Sequence, residues 1–435
     1  MTSREVAIDV LVQLEGEPGA HANVVLPVRL RATTLARRDR AFVSDVVYTT
    51  LREQRLTDHL LSPHLRRPID ALDPDVRAAL RLGVTQLRLG VAPHAAVGET
   101  VGALGQRSPH ARGFVNAVLR AVARDGPPWD GPAGADVAAL AVRTSHPDWM
   151  VAMLCDELGP TRAREVLALD NEPPAVTLRP NRLRTDAATL MAELTEAGIH
   201  VEPGGLVADA AVVRGAGDLA VLPAVAEGRA SPQDQASQAV VEILDPRPGE
   251  CILEVGAAPG GKATAIAERM GDRGLVAAVD VRPERLARIT EATIRLGLDA
   301  VVPVLADGRA LPVRPASFDR VLLDAPCSGL GVLRRRPEAR WRVTPDAPAH
   351  HAELQRALCL TALSALVPGG RFVYSVCTLT AVETTAVDAF LAEHRPGCRG
   401  LPPPGPPWEP VGRGARLLPT VAGTDGMFVL ALTVG

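Results

Sequence analysis

The stretch "LEVGAAPGGKATAIAERM", residues 253–270, ends an apolar run in a glycine-rich loop and continues with a helical pattern. Gly256 and Lys262 have the G-x-x-x-x-G-K spacing of a phosphate-binding loop, but Ala263 stands where such a loop has Ser or Thr for magnesium. Pro259 also has no amide hydrogen to offer a phosphate. The loop therefore favours another ligand, one with an adenosine and a charged tail, over a nucleoside triphosphate.

Around this loop, strand and helix patterns alternate from about residue 231 to residue 435. The strand-like runs are CILEVG, LVAAVDV, AVVPVLAD, FDRVLLDAP, GRFVYSVCT and GMFVLALTV, and helical runs such as PERLARITEATIRLG separate them. This alternation predicts an α/β fold with a mostly parallel, doubly wound, Rossmann-like sheet. Ligands of such sheets bind beyond the carboxyl ends of the strands. Five candidate residues follow strands in this way: Gly256, Asp280, Asp307, Asp324 and Cys377.

The loop and the aspartates suit S-adenosylmethionine. A glycine turn lets the backbone approach the ligand, and the N-terminus of the following helix favours its carboxylate. Asp280 is placed to accept hydrogen bonds from both ribose hydroxyls, and Asp307 from the adenine amino group. One such aspartate would be read as a helix or turn cap, but three at successive strand ends favour a cofactor site. Lys262 is the only lysine among the 47 lysine and arginine residues, which suggests a site for a compact positive charge.

Two cysteines follow strands, Cys327 in "LLDAPCSG" and Cys377 in "FVYSVCT". A cysteine at a strand end is more often a small buried hydrophobe than a nucleophile, but a pair beside this loop suits pyrimidine methylation. Carbon-5 of cytosine becomes nucleophilic only after a thiolate adds to carbon-6. Asp324 is our candidate for protonating the ring nitrogen, with a pKa raised by partial burial. A second group must help to expel the enzyme, and Cys327 is well placed for this.

The periodicity upstream indicates further domains. Residues 1–125 show apolar spacings of three and four throughout, which predicts an all-α domain. Residues 126–145 include the Pro- and Gly-rich "DGPPWDGPAGAD", which indicates a linker. Residues 146–230 mix helices and short strands as in a small α+β module, and residues 231–435 form the doubly wound domain.

Composition narrows the class of protein. The chain is 47% hydrophobic and 22% charged, without an apolar run of about 18 residues or a secretion signal, so we expect a cytoplasmic protein with no membrane partner. Six cysteines without C-x-x-C or matching histidine spacing predict no metal site and no disulfide framework. The net charge of −3 hides arginine-rich stretches at 27–67 and 332–342. Each is either a solvated helix face or a phosphate contact.

The combined motifs resemble a known family. "AAPGGK", "DAPCSGLG" with "RRRPEARW", and "YSVCT" resemble the bacterial RNA (cytosine-5-)-methyltransferases of the Sun type, which act on small-subunit ribosomal RNA. "LRPNRLRTD" and "SPQDQASQ" match the module before the catalytic domain. "RDRAFV", "VRAALRLGVTQL", "PHAAV" and "GFVNAVLR" resemble the helical RNA-binding domain related to NusB. The resemblance covers the whole chain.

The resemblance implies methylation of carbon-5 of a cytidine in 16S ribosomal RNA, with Cys377 as nucleophile and Cys327 assisting product release. RNA rather than DNA is then the partner, and we expect a monomer. Three positions depart from the family pattern: Gly256 replaces the cysteine that usually begins the loop, Val376 replaces a common threonine, and Thr378 replaces a common serine. The implied cofactor-binding residues are Gly256, Ala257, Ala258, Pro259, Gly260, Gly261, Lys262, Asp280, Asp307 and Asp324.

With 3% aromatic residues, RNA binding must depend on arginines more than on base stacking. Arg179 and Asn181 are either RNA contacts or turn residues. Two other functions remain open: a non-catalytic RNA-binding or ribosome-assembly factor, and a methyltransferase of another RNA such as tRNA. The arginines predicted to contact RNA are Arg334, Arg335, Arg336, Arg340 and Arg342.

Overall fold

The computed structural model describes every residue of the chain except Pro18, Gln106, Ala216 and Ala422. It divides into two compact units. We call the first the helical unit, which comprises Met1–Pro173 and Leu333–Val343. We call the second the sheet unit, which comprises Pro174–Val332 and Thr344–Gly435. None of the helices in the described part of the chain has the length and apolar character needed to cross a bilayer.

The helical unit consists of amphipathic helices whose apolar faces form a common core. In the first helix, Val6, Val10 and Leu14 recur at spacings of four and are buried, as the sequence periodicity predicts. The helices are α1 (Ser3–Gly16), α2 (Ala22–Arg31), α3 (Arg37–Arg52), α4 (Gln54–Leu61), α5 (Pro74–Arg88), α6 (Pro93–Leu104), α7 (Arg112–Asp125), α8 (Val137–Thr144), α9 (Asp148–Leu158) and α10 (Pro160–Leu169).

Helix α8 forms inside the stretch that the sequence indicates as a linker. The Asp136 side chain accepts a hydrogen bond from the Ala139 amide at 2.9 Å and caps the helix. Leu140 and Ala141 are buried, so the short helix has a packing face. Helices α9 and α10, which the sequence assigned to the α+β module, also belong to the helical unit.

The arginines of Leu333–Val343 satisfy backbone carbonyls of the helical unit. Arg340 is completely buried, and its guanidinium donates to the carbonyl oxygen of Arg52 at 3.0 Å. Arg334 is also buried and donates to the carbonyl oxygen of Pro173 at 2.8 Å. The prediction that Arg334 and Arg340 contact RNA is therefore wrong, because neither guanidinium reaches the surface.

The remaining arginines of this segment differ from one another. Arg342 is half-buried and donates to the carbonyl oxygens of Leu14 and Ala20. Arg335 is half-buried and Arg336 is exposed. An RNA contact therefore stays a prediction for Arg335 and Arg336. The guanidinium of Arg342 instead stabilises the fold through its hydrogen bonds to these carbonyl oxygens.

The sheet unit begins with a small antiparallel sheet in the order β2–β3–β1–β4. Its strands are β1 (Val176–Pro180), β2 (His200–Pro203), β3 (Ala211–Arg214) and β4 (Ala230–Pro232), and its helices are α11 (Ala187–Glu196) and α12 (Pro223–Ala226). Leu178 lies opposite Ala211 on one side and Pro232 on the other, which makes β1 a central strand. Short strands and helices therefore follow one another here, as the mixed sequence pattern predicts.

The main sheet has the order β11–β12–β13–β9–β8–β5–β6–β7, with β10 beside β13. Strands β5 to β9 are parallel, and β13 runs antiparallel to β9. This confirms the predicted doubly wound α/β sheet. The strands are β5 (Cys251–Val255), β6 (Leu275–Asp280), β7 (Val301–Leu305), β8 (Phe318–Asp324), β9 (Leu366–Val376), β10 (Cys398–Gly400), β11 (Glu409–Val411), β12 (Gly414–Leu417) and β13 (Met427–Val434), and the helices are α13 (Gln235–Leu244), α14 (Gly261–Arg269), α15 (Pro283–Leu296), α16 (Ala347–Ser364) and α17 (Thr385–His394).

Alternate strand residues pack on opposite faces of this sheet. Ile252 and Leu322 lie in the core shared with α13, α14 and α15. Leu253 and Leu323 lie in the core shared with α16 and α17. Both faces are covered, which explains why the strands are almost continuously apolar in sequence.

The strand order reverses between β5 and β8, where doubly wound sheets bind ligands. Gly256 follows β5 and has a φ of +79°, and a Cβ atom built on it would lie 2.3 Å from the carbonyl oxygen of Asp324. Only glycine fits that position. The glycine loop and the carboxyl end of β8 are thereby brought together.

Candidate active site

A partly buried ion pair lies at the reversal of the strand order. Nζ of Lys262, in the first turn of α14, lies 2.6 Å from Oδ2 of Asp324, and the Ser375 hydroxyl donates to Oδ1 of Asp324 at 2.9 Å. Burial alone would lower the pKa of Lys262, but the charge of Asp324 and the hydrogen bond to it raise this pKa overall. The ammonium therefore stays charged and lies where it can stabilise a thiolate.

The two predicted cysteines come together. Sγ of Cys327 and Sγ of Cys377 are 3.3 Å apart, and both side chains are partly accessible. The hydrogen bond to Cys377, followed by burial, raises the pKa of the Cys327 thiol well above its ordinary value. Cys327 therefore keeps its proton near neutral pH and can donate it to the sulfur of Cys377.

Cys377 is anchored although the residues on both sides of it depart from the family pattern. Val376 is completely buried as the last residue of β9. The hydroxyl of Thr378 lies 2.9 Å from that of Ser328 and donates to Glu383 at 3.0 Å. The backbone on both sides of the thiol is thus held in place.

The predicted cofactor aspartates differ in their surroundings. Oδ2 of Asp280 accepts from the amide of Ala258 at 3.3 Å, so this buried carboxylate also holds the glycine loop. Asp307 lies at the surface, where hydrogen bonds from Arg309 lower its pKa to about 2. Burial, followed by the charge of Asp324, raises the pKa of Glu254 well above its ordinary value. The carboxyl ends of neighbouring strands therefore present both charged and protonated acids.

These residues fit S-adenosylmethionine. Carboxylates follow β6, β7 and β8, and the N-terminus of α14 offers positive potential for a carboxylate. Val281 is 60% exposed immediately after Asp280, which provides an apolar surface for a purine ring. Oε2 of Glu254 is buried without a hydrogen-bond partner, as expected in a site built to receive a polar ligand.

The geometry argues against the phosphate-loop interpretation. The hydroxyl of Thr264, the nearest one after the lysine, donates to the carbonyl oxygen of Gly260 at 2.8 Å and accepts from Arg179 at 3.1 Å. Lys262 is engaged with Asp324. In the described residues, no group of three or more His, Cys, Asp or Glu side chains is arranged to hold a metal ion.

Arg179 and Asn181 are structural. The guanidinium of Arg179 is buried, pairs with Glu268 at 2.8 Å and donates to the carbonyl oxygen of Gly261 at 2.8 Å. The amide of Asn181 is completely buried and donates to the carbonyl oxygens of Gly228 and Leu296. The interpretation of these residues as RNA contacts is wrong; Arg179 instead fixes the start of helix α14.

The first arginine-rich stretch stays a candidate RNA surface of the helical unit. Arg52 is buried, but most of the other arginines of this stretch are solvent-exposed. The exposed arginines of this stretch are Arg29, Arg31, Arg37, Arg38, Arg66 and Arg67.

Several residues of the site were missed in the sequence. Ser375, Glu383 and Val281 contact or surround the predicted residues; Ser375 and Val281 lie within the stretches FVYSVCT and LVAAVDV, but none of the three was predicted to have a role. The signal for Glu383 was weak: a carboxylate six residues after Cys377, in a segment rich in threonine. Hydroxyl side chains beside a single acid are consistent with a buried hydrogen-bond network, but they are equally typical of a surface turn.

Comparison with known proteins agrees with this architecture. Residues 241–433 match the family model described as 16S rRNA methyltransferase RsmB/F. Residues 1–124 match the NusB family, and residues 146–220 match the ferredoxin-like domain of RsmF/B-like methyltransferases.

Individual relatives match over nearly the whole chain. A Bacillus subtilis (strain 168) protein described as a probable ribosomal RNA small subunit methyltransferase B is 34% identical, covering 99% of this chain and 98% of that protein. The ribosomal RNA small subunit methyltransferase B of Pseudomonas putida is 36% identical, covering 95% of this chain and 94% of that protein. Among solved structures, the crystal structure of PH0851 has a TM-score of 0.88 at 25% identity, covering 100% of this chain and 99% of that one.

Proposed function

Because the chain belongs to the RsmB/F family of S-adenosylmethionine-dependent ribosomal RNA methyltransferases, we propose that it methylates carbon-5 of a cytidine in small-subunit ribosomal RNA through a transient bond to Cys377. The observation that carries this proposal is the approach of the Cys327 and Cys377 sulfur atoms to 3.3 Å, beside the Lys262–Asp324 ion pair. A methyltransferase that only positioned its substrate would need neither thiol.

Cys377 acts as the nucleophile. Its thiolate forms a bond to carbon-6 of the cytosine, and the electron pair of the ring double bond moves towards carbon-5. The ammonium of Lys262 stabilises the thiolate before attack, and Cys327 donates a hydrogen bond to it. S-adenosylmethionine, when bound, supplies the methyl group that carbon-5 takes up.

Asp324 faces the ring nitrogen of the target base in this proposal. Its carboxyl group accepts a hydrogen bond from the ammonium of Lys262 at 2.6 Å. Lys262 therefore has the larger electrostatic role, since its fixed positive charge lies where negative charge develops on the ring. The Ser375 hydroxyl fixes the second oxygen of Asp324.

Cys327 serves the last step, in which carbon-5 loses its proton and the bond between carbon-6 and Cys377 breaks. The hydrogen bond to Cys377 is the largest cause of the raised pKa of Cys327. Once Cys377 is bonded to carbon, that hydrogen bond and the charge of Cys377 are lost. The pKa of Cys327 then falls, so Cys327 loses its proton to solvent more readily, and its thiolate can accept the proton that leaves carbon-5.

Transfer of label from methyl-labelled S-adenosylmethionine tests the proposal. Purified protein should label 16S ribosomal RNA that lacks its own modification, and bisulfite sequencing should locate the label at a cytidine. Failure to label naked RNA, small subunits and a tRNA pool would exclude the proposed function. Labelling of tRNA alone would retain the chemistry but change the substrate.

The helical unit supplies RNA binding in this proposal. Its resemblance to the NusB family and its exposed arginines at 29–38 and 66–67 support this role. An extracted nucleotide must leave its stack to reach Cys377, at a cost of about a few kcal/mol, so an unpaired cytidine is the favoured target.

A further inference from the structure

A single buried carboxylate lies behind the two cysteines. Glu383, at the end of the short 3-10 turn Ala381–Glu383, is 0% exposed and has no cationic partner among the described contacts. Its two oxygens instead accept hydrogen bonds from five donors. The donors are the Ser328 amide at 2.8 Å, the Gln355 side chain at 3.1 Å, the Thr378 hydroxyl at 3.0 Å, the Thr380 hydroxyl at 2.9 Å and the Ser328 hydroxyl.

Four of these five donors belong to the loops that carry the thiols. Ser328 directly follows Cys327, and Thr378 directly follows Cys377. The Ser328 and Thr378 hydroxyls are also 2.9 Å from each other. One carboxylate thus joins two loops that lie 50 residues apart in the sequence.

The residue before Cys327 is held by the same network. The amide of Gln355 donates both to Glu383 and to the carbonyl oxygen of Pro326, at 2.8 Å. The Tyr374 hydroxyl lies 2.7 Å from the backbone carbonyl of Glu383 and shares its single hydrogen between that oxygen and Gln355. Gln355 and Tyr374 belong to α16 and β9, so the network is anchored on regular secondary structure.

We propose that Glu383 is the positioning residue that sets the distance between the Cys327 and Cys377 sulfur atoms. This inference rests on the proposed function, because the position of the two thiols matters for catalysis only if they take part in the proposed methyl transfer. Glu383 itself is too completely enclosed to reach a substrate. It acts through the backbone that follows each cysteine.

The chemistry of the donors explains why position 383 needs a side chain that can accept hydrogen bonds. The Ser328 amide and the Gln355 side-chain amide hydrogens can only donate, so the facing oxygen must accept. A carboxylate offers about four acceptor sites on two oxygens, whereas a hydroxyl or a backbone carbonyl has fewer. Glutamine at position 383 retains one accepting oxygen for the two amides, and its NH2 group can donate to the hydroxyls.

A bifunctional thiol reagent tests the distance between the Cys327 and Cys377 sulfur atoms without any substrate. Dibromobimane becomes fluorescent when both of its arms have reacted with thiols, so its rate of cross-linking reports how two cysteines face each other. Wild-type protein, Glu383→Ala and Glu383→Gln would be compared, with Cys377→Ser to measure the background from the other cysteines. Asp388→Ala is the matched control, because Asp388 is also a buried acid in the same unit but binds Arg413 instead.

We expect cross-linking of Cys327 to Cys377 to fall by about tenfold or more in Glu383→Ala, because loss of the shared acceptor frees both loops. Glu383→Gln and Asp388→Ala should stay within about threefold of wild type. Thr378→Val, which removes one hydroxyl and keeps the side-chain shape, should give an intermediate rate even if Glu383→Ala does not fold. Equal rates in wild type and Thr378→Val, or an equal loss in Asp388→Ala, would overturn the proposal.

Methyl transfer provides the second readout. In Glu383→Ala, kcat should fall by about 100-fold while KM for S-adenosylmethionine stays near wild type, because the glycine loop is untouched. A rise in KM with unchanged kcat would contradict a role at the thiols. If wild-type protein transfers no methyl group but cross-linking depends on Glu383, the proposed function fails and the positioning role stands.

Discussion

Nζ of Lys262 and Oδ2 of Asp324 are 2.6 Å apart, which joins the first turn of α14 to the carboxyl end of β8. The glycine loop and the strand that leads to Cys327 are therefore coupled by charge as well as by the close approach at Gly256. A lysine without this carboxylate would be an unpaired buried cation, which proteins avoid.

Because Lys262 is the only lysine in the sequence, the effect of this ion pair on its amine can be measured directly. Amine acylation followed by intact-mass analysis should modify the N-terminus of native protein quickly and Lys262 slowly, because the raised pKa of Lys262 keeps it protonated up to at least its ordinary value of 10.5. In Asp324→Asn the pKa falls, and acylation of Lys262 below pH 10.5 should accelerate by about tenfold per pKa unit lost. Ser375→Ala, which keeps the carboxylate of Asp324, is the control. An equal acceleration of Lys262 acylation in Ser375→Ala would contradict the conclusion that Asp324 raises the pKa of Lys262.

Substitution separates the two cysteines. Cys377→Ala should abolish methyl transfer, because in the proposed mechanism the sulfur of Cys377 forms the bond to carbon-6. Cys327→Ala should accumulate a covalent protein–RNA adduct, visible as a slowly migrating band in denaturing electrophoresis, because release is impaired. Adducts in Cys377→Ala and none in Cys327→Ala would reverse the two roles.

The helical unit should lose stability in mild acid. Burial, followed by the charge of Arg340, lowers the pKa of His146 from 6.5 to about 4, and Asp170 only partly opposes this. Between these pH values the unfolded chain binds a proton that the folded chain does not, so stability is present above pH 6.5 and is lost as the pH falls towards 4. The loss should reach roughly 3 kcal/mol.

Denaturant unfolding from pH 7 to 4 checks this. His146→Gln should flatten the pH dependence, whereas His94→Gln, at an exposed site, should leave it unchanged. A wild-type profile that is flat over this range would show that His146 is not the neutral buried group described.

RNA binding should depend on exposed arginines and not on the buried ones. Reversing Arg37 and Arg38 to Glu should weaken binding and lower the slope of log affinity against log salt by about 1–2, because about two phosphate contacts are lost. Arg120→Glu with Arg124→Glu changes the net charge equally on α7 and is the control. An equal change of slope in both double variants would indicate a general charge effect without a defined surface.

Arg179 should act on the cofactor loop and leave RNA affinity unaltered. Arg179→Met removes the hydrogen bond to Gly261 and leaves the buried carboxylate of Glu268 unpaired, at a cost of about 3–5 kcal/mol. Calorimetry should show weaker S-adenosylmethionine binding, with the salt dependence of RNA binding unchanged. Arg179→Met with Glu268→Leu should recover part of the stability; a salt slope altered in Arg179→Met would instead restore the RNA interpretation.

Much of this arrangement could be predicted because strand ends in a parallel sheet meet at one edge. The apolar runs before Gly256, Asp324 and Cys377 were enough to bring these residues to one site. Burial of polar groups was not predictable in the same way. Arg340 and Arg334 have the sequence signature of a basic surface, and only the tertiary structure shows that backbone carbonyls surround them. Glu383 was missed for the same reason, since its partners come from separate segments.

The discontinuous helical unit has a consequence for synthesis of the chain. Leu333–Val343 supplies the buried guanidinium of Arg340 to carbonyls near residues 52 and 170. Those carbonyl groups leave the ribosome long before residue 340 does. The helical unit therefore remains incomplete while most of the sheet unit is translated. At about 5–20 residues per second, this delay lasts on the order of ten seconds or more, and the helical unit is complete only after Leu333–Val343 has been synthesised.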